Sequence, residues 1–121
     1  LFRSEKQGEV LATDLLENES PLPTAILVGS DPMAIGVYRA LKQKNIQIGE
    51  EIIVASFDNI ETIANLSPGL TSVQINAKSI GQAAVRMALE RIDGIRDEPI
   101  ILTYPARLIV RESFIPRTKR Y

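Results

Sequence analysis

Three short polar clusters follow apolar runs in this chain, and their residue types suit them to hold a ligand. Ser30-Asp31 comes after Ala25-Ile26-Leu27-Val28, Asp58-Asn59 comes after Ile52-Ile53-Val54-Ala55, and Asn76 follows the extended stretch 70–75. Short carboxylates, amides and hydroxyls on a strand-to-helix turn lose little side-chain entropy on binding. They accept from and donate to adjacent hydroxyls in fork-like pairs, as a neutral polyol such as a sugar requires. Each cluster also has a plainer structural reading. Asp31 followed by Pro32 is the pattern of a helix start, with Asp31 as N-cap and Pro32 at the first helical position. Asp31 therefore reads as a cap in preference to a contact. Asn59 suits the start of a turn, and Asn76 suits a cap for the helix after it. Ser30 is balanced between the two roles, and Asp58 leans to the ligand.

The missing residue types exclude other chemistry. The 121 residues contain no His and no Cys. A Ser-His-Asp triad, a thiol nucleophile, a disulfide framework and the usual structural zinc sites are therefore all excluded. No Gly-rich phosphate loop follows a strand, because Gly29 and Gly36 are too sparse for one. The pairs Glu50-Glu51 and Asp97-Glu98 fall in predicted loops and read as solvated surface. An α/β enzyme using Asp31 and Asp58 as acid and base is the weakest of the rivals, so the chain reads as a binding module without cofactor or metal. Fourteen Lys and Arg against 15 Asp and Glu give a formal charge of −1. That balance offers no electrostatic footprint for nucleic acid within this segment. No apolar run approaches the roughly 20 residues needed to span a bilayer.

Hydrophobic periodicity places these clusters on an alternating scaffold. Residues 4–17 predict a helix, with Ser4 as N-cap and Gln7 completing a capping box. Val10, Leu11, Thr13, Leu15 and Leu16 form its apolar side, and Gly8 weakens it. The runs 25–28 and 52–55 predict short strands buried on both faces of a parallel sheet. Between them, Met33, Gly36, Val37, Ala40 and Leu41 recur at helical spacing. A short helical stretch follows Asn59 and ends at Pro68-Gly69, and residues 70–75 predict a third strand. Residues 78–93 predict the clearest helix, with Ile80, Ala84, Val85, Ala88, Leu89 and Ile92 on its apolar face and Gly94 as C-terminal cap. Ile100-Ile101-Leu102 and Leu108-Ile109-Val110 predict two further extended pieces. Arg117-Thr118-Lys119-Arg120 reads as a solubilising end. The alternation implies βαβ units and a mainly parallel sheet.

Read together, these segments resemble the C-terminal part of the lactose/galactose repressor family of bacterial transcription regulators. The resemblance rests on Pro23-Thr24-Ala25-Ile26 leading to Ser30-Asp31-Pro32-Met33-Ala34-Ile35-Gly36, and on Ile53-Val54-Ala55-Ser56-Phe57-Asp58-Asn59. Pro68-Gly69-Leu70-Thr71-Ser72-Val73, the helix from Ile80-Gly81 and the closing Leu108-Ile109-Val110-Arg111-Glu112-Ser113 complete it. It implies a periplasmic-binding-protein-like, Rossmann-like α/β lobe within a two-lobed sensor whose effector sits between the lobes. Residues 1–73 and 100–117 would belong to the second lobe. Residues 74–98 would carry the crossover and a helix of the first lobe, which by itself would expose its apolar face. The DNA-binding helix-turn-helix would lie outside this chain.

The same resemblance implies roles for particular residues. Asp58 occupies the position of the sugar-hydroxyl-binding Asp, Ser30 stands where an Asn commonly meets the effector, and Asn76 matches a polar position at the cleft edge. Phe2 lies near the place of a contacting aromatic. Ile35, Arg39 and Leu66 fall where the family makes its dimer contacts. The expected protein is a cytoplasmic homodimer, or a tetramer built from it. It would bind a sugar effector and, through its N-terminal part, operator DNA, with no membrane association. The subgroup most similar to Ser30 to Val37 followed by Ala55-Ser56-Phe57 regulates galactose or β-galactoside genes, and the resemblance as a whole implies a repressor of these or other sugar-utilisation genes. A sugar-binding protein of a transport system, sharing the two-lobed fold, is the alternative.

Overall fold

The computed structural model describes residues 4–114. Phe2 and the basic cluster at 117–120 lie outside the described residues. Helix α1, Glu5–Asn18, is capped by Ser4, whose Oγ accepts from Gln7 N at 3.2 Å. Strand β1, Ala25–Leu27, leads to helix α2, Asp31–Gln43, and then to strand β2, Ile53–Asp58. A 3₁₀ helix, Glu61–Asn65, strand β3, Thr71–Gln74, helix α3, Ala77–Ile92, and strand β4, Arg107–Ile109, follow. The strands lie side by side in the order β1-β2-β3-β4. The first two pairings are parallel and the last is antiparallel, so the sheet is mainly parallel as the alternation predicts.

Helices α1 and α2 pack on each other, and α2 packs on β2. The core forms there from Ala12, Val28, Ala34, Val37, Tyr38, Ala40, Leu41, Val54, Ile63 and Leu70. Glycine sets how closely α1 and α2 approach. A Cβ on Gly8 would collide with the Met33 carbonyl, and one on Gly36 with the Glu5 carbonyl. Gly8 is thus required for packing, although in the sequence it only weakens a helix. This contact also changes which stripe of α1 is buried. Gly8 and Ala12 are buried and Leu16 packs against the core, while Val10 and Leu11 are exposed. Two helices in backbone contact have room for small residues between them, not for the larger ones the apolar count favours.

Three further expectations need correction. β1 and β2 are not buried on both faces. Leu27, Phe57, Val73 and Leu108 share the sheet face opposite the helices, and Leu27 is 70% exposed. Asp31 is not the N-cap. Ser30 holds that position and Pro32 the second helical one, because the Asp31 side chain turns into the core. The run Ile100-Ile101-Leu102 forms no strand, and Ile101 is 92% exposed: among the described residues no strand pairs with it, so its backbone has no ladder to join there.

Helix α3 stands apart from this core. Its caps are as predicted, with Asn76 Oδ1 accepting from Ser79 N at 3.2 Å and Gly94 at φ +68° after the last turn. Only Ala83 is buried, whereas Ile80, Val85, Leu89 and Ile92 are exposed.

Candidate functional site

The parallel order of β1, β2 and β3 brings their carboxyl ends to one edge of the sheet. Ser30, Asp58 and Asn76 all sit there, one per strand. Leu27 pairs with Ala55 and Asp58 with Gln74. Continuing those registers places Ser30 level with Asp58 and Asn76 two residues beyond. Neighbouring parallel strands are about 4.8 Å apart, so the three positions span roughly 10 Å across the edge. A single monosaccharide ring can meet more than one of them.

Asp58 ends β2 with φ +105°, and Asn59 follows at φ +55°. Asn59 occupies the left-handed region that asparagine tolerates in turns, whereas Asp58 lies beyond it, where a non-glycine residue stays only when its surroundings hold it. Three holds surround this turn. Asn59 N donates to Ser72 Oγ at 3.1 Å, Ile60 N donates to Asp31 Oδ2 at 2.7 Å, and Arg111 Nη2 donates to Asn59 Oδ1 at 2.8 Å. Asp31 is fully buried and also accepts from Ser56 Oγ and, at 2.8 Å, from Ser72 Oγ. One carboxylate therefore ties the start of α2 to β2, to β3 and to the chain leaving Asn59. Buried acceptors that find several donors rigidify the elements they join. The structural reading of Asp31 stands, in a different form from the helix cap that the Asp-Pro pair suggests.

The remaining predicted residues divide. Ser30 is buried, and its Oγ has no hydrogen-bond partner among the described residues. Asn76 uses its Oδ1 to cap α3, which leaves its amide NH2 for a ligand. Arg39, on the outer face of α2, is ion-paired with Glu5. Ile35 and Leu66 are half-buried against the core. A groove of about 670 Å³ lies elsewhere, at the amino ends of the strands between Lys42, Gln47, Leu66, Pro68 and Glu112. It is remote from the polar cluster, and ligands of open α/β sheets bind at the carboxyl ends, so the cluster is the candidate site.

Two parts of this architecture escape sequence reading. Arg111 spans from Leu70 O, at 2.6 Å from Nη1, to Asn59, 52 positions earlier in the chain. Ser113 Oγ accepts from Thr71 N at 2.8 Å and donates to Val54 O at 2.7 Å, stitching the closing segment to β2 and β3. Both residues lie in the closing motif that carries the family resemblance. Neither type nor spacing announces a partner so far away.

Residues 3–114 match the family described as the periplasmic binding protein-like domain. The HTH-type transcriptional repressor PurR of Glaesserella parasuis serovar 5 (strain SH0165) is 32% identical over 113 residues, covering 88% of this chain and 33% of that protein. The lactose operon repressor of Rhizobium radiobacter is 37% identical over 91 residues, covering 75% of this chain and 80% of the other sequence. The crystal structure of the lac repressor dimer bound to operator and the anti-inducer ONPF superposes with a TM-score of 0.82 at 29% identity, covering 93% of this chain and 38% of that one. The chain spans about a third of the length of the first curated relatives it matches. A four-stranded, mainly parallel α/β sheet with this extent of match leaves one assignment: the chain belongs to the periplasmic binding protein-like family, and the relatives it matches are transcriptional repressors of the lactose/galactose type.

Proposed function

We propose that this chain is the effector-binding and dimerising region of a cytoplasmic repressor that controls galactose or β-galactoside utilisation. The observation that carries the site is the Asp58-Asn59 turn, held at positive φ by three hydrogen bonds and set beside Ser30 and Asn76 at the strand ends. Asp58 accepts from a pair of adjacent sugar hydroxyls, Ser30 supplies one further hydrogen bond, and the Asn76 amide donates from the cleft edge. The sugar bridges this lobe to a first lobe, to which residues 74–98 belong, while residues 1–73 and 100–117 form the second. The isolation of α3 from the core supports that division. Two copies associate through Ile35, Arg39 and Leu66, and an N-terminal helix-turn-helix reads the operator. The sugar shifts the equilibrium between lobe arrangements by its difference in affinity for them, and so alters the spacing of the DNA-reading heads.

The test is a mobility shift of the full-length protein on its own promoter, with D-galactose and with lactose. Release by one of them is the expected result. Asp58→Ala is expected to abolish that response while operator affinity stays within about twofold of the unaltered protein. Loss of operator binding in a folded Asp58→Ala variant overturns the role given to Asp58. Operator binding indifferent to both sugars overturns the galactose assignment, and no operator binding at all favours a transport protein.

A further inference from the structure

We propose that Arg111 is a positioning residue for effector binding: it holds the Asp58-Asn59 turn through Asn59, so that Asp58 meets its ligand in a preset conformation. The inference rests on the reading of Asp58 as an effector contact. Asn59 at φ +55° is in the left-handed region that asparagine tolerates, but Asp58 at +105° lies outside it, and a non-glycine residue there needs its surroundings to hold it. Two of the three holds on the turn, from Asp31 and Ser72, are part of the buried clamp between α2, β2 and β3, which the fold needs in any case. The hold from Arg111 is of another kind. Its guanidinium is half-buried, and its two branches reach two acceptors, Leu70 O at 2.6 Å and Asn59 Oδ1 at 2.8 Å.

The backbone of Arg111 is fixed separately, by a hydrogen bond from its N to Thr71 Oγ1 at 2.8 Å and by Thr71 Oγ1 donating to its carbonyl at 3.1 Å. The side chain can therefore be changed without freeing the segment that carries it. A rigid fork spanning two acceptors is a geometry that a lysine ammonium cannot reproduce, although it keeps the charge. Arg111→Lys thus alters the bridge and leaves the local field close to its original sign and size.

The experiment uses full-length protein in four forms: unaltered, Arg111→Lys, Asn59→Gly, and both together. Glycine adopts the Asn59 conformation without strain but offers Arg111 no acceptor. Binding is titrated with D-galactose, lactose, D-ribose and cellobiose, following the sugar that the unaltered protein binds most tightly. Arg111→Lys is expected to weaken that sugar roughly tenfold, the scale of losing one hydrogen bond to a charged group. Asn59→Gly is expected to do the same, and the double variant no more than Asn59→Gly alone. In the same samples without sugar, amide hydrogen exchange at Asn59 and Ile60 is expected to accelerate in Arg111→Lys while Val54 and Ser56 are unchanged.

Wild-type sugar affinity in Arg111→Lys overturns the proposal, as do losses that add in the double variant. So does unchanged exchange at Asn59 and Ile60. A weakened affinity with accelerated exchange confined to the turn supports it. Asp58→Ala tests the underlying reading separately: normal sugar binding there overturns the effector role of Asp58 and leaves the exchange result to decide whether Arg111 holds the turn.

Discussion

The hydroxyl of Tyr38 shows how a single buried group leaves a mark on the behaviour of the whole chain. Tyr38 is 2% exposed in the core, and its OH has no hydrogen-bond partner among the described residues. It lies close to Ser113, whose Oγ accepts from Thr71 N and donates to Val54 O. Burial pushes the Tyr38 pKa from 10.0 up to about 12, with the Ser113 contact partly opposing the rise. The folded protein keeps this proton where the unfolded chain has released it, so the effect is absent below pH 10. Above it, stability falls by up to about 2–3 kcal/mol as pH rises towards 12. Tyr38→Phe removes an unsatisfied hydroxyl and retains the ring. Its expected effect at pH 7 lies between no change and a gain of about 1 kcal/mol. The difference between the Tyr and Phe forms should widen above pH 10, and urea melts at pH 7 and at pH 11 check both statements.

At the scale of elements, the crossing of α1 and α2 is the most demanding contact in the fold. Gly8 and Gly36 allow backbone to meet backbone, and Arg39 with Glu5, Lys44 with Glu17 and Gln43 with Glu9 line its exposed rim. The rim pairs are solvent-exposed and each contributes about 0–1 kcal/mol. The glycines matter more. Gly36→Ala places a methyl group against the Glu5 carbonyl, and the helices must move apart to admit it. A loss of roughly 1–3 kcal/mol is expected, as in other over-packed contacts. Thermal melts of Gly36→Ala beside an alanine substitution at exposed Lys42 separate this steric cost from helix propensity, which by itself favours alanine. A lower melting temperature for the Lys42 variant than for Gly36→Ala contradicts the steric account.

The whole molecule is uneven. One side is a dense α/β layer around Tyr38, Leu41, Val54 and Leu70, and the other is a sheet face on which Leu27 and Leu108 are more than half exposed. Helix α3 adds Val85 at 61%, Leu89 at 54% and Ile92 at 79% exposure. Apolar surface on this scale marks a place where more protein belongs. If α3 is part of a first lobe, its amides at 84–92 exchange quickly in the 121-residue chain while those of α2 are protected. In the full-length protein both sets are then protected. Hydrogen exchange on the two samples decides it, and equal protection of α3 in both removes the basis for dividing the chain at residue 74.

Much of this organisation is local and therefore legible in the sequence. Ser4, Asn76 and Gly94 cap their helices because a cap is a contact between residues three or four apart. The apolar runs at β1 and β2 announce strands, and the polar residues after them fall at the strand ends for the same reason. The order and direction of the strands, by contrast, arise only when the elements pack. So does the passage of Asp31 from an expected cap to a buried clamp on Ser56, Ser72 and Ile60, which are 25, 41 and 29 positions away. Gly8 shows the same division: its type lowers helix propensity, and only the arrival of Met33 turns that weakness into a requirement. The sequence by itself determined the helices, the short strands and the place of the polar clusters, since these follow from periodicity and capping over a few residues. Tertiary structure alone decided which faces are buried, what Asp31 does and how Arg111 holds the Asp58 turn. Those outcomes depend on contacts between residues that are distant in the chain and become neighbours only in the folded state.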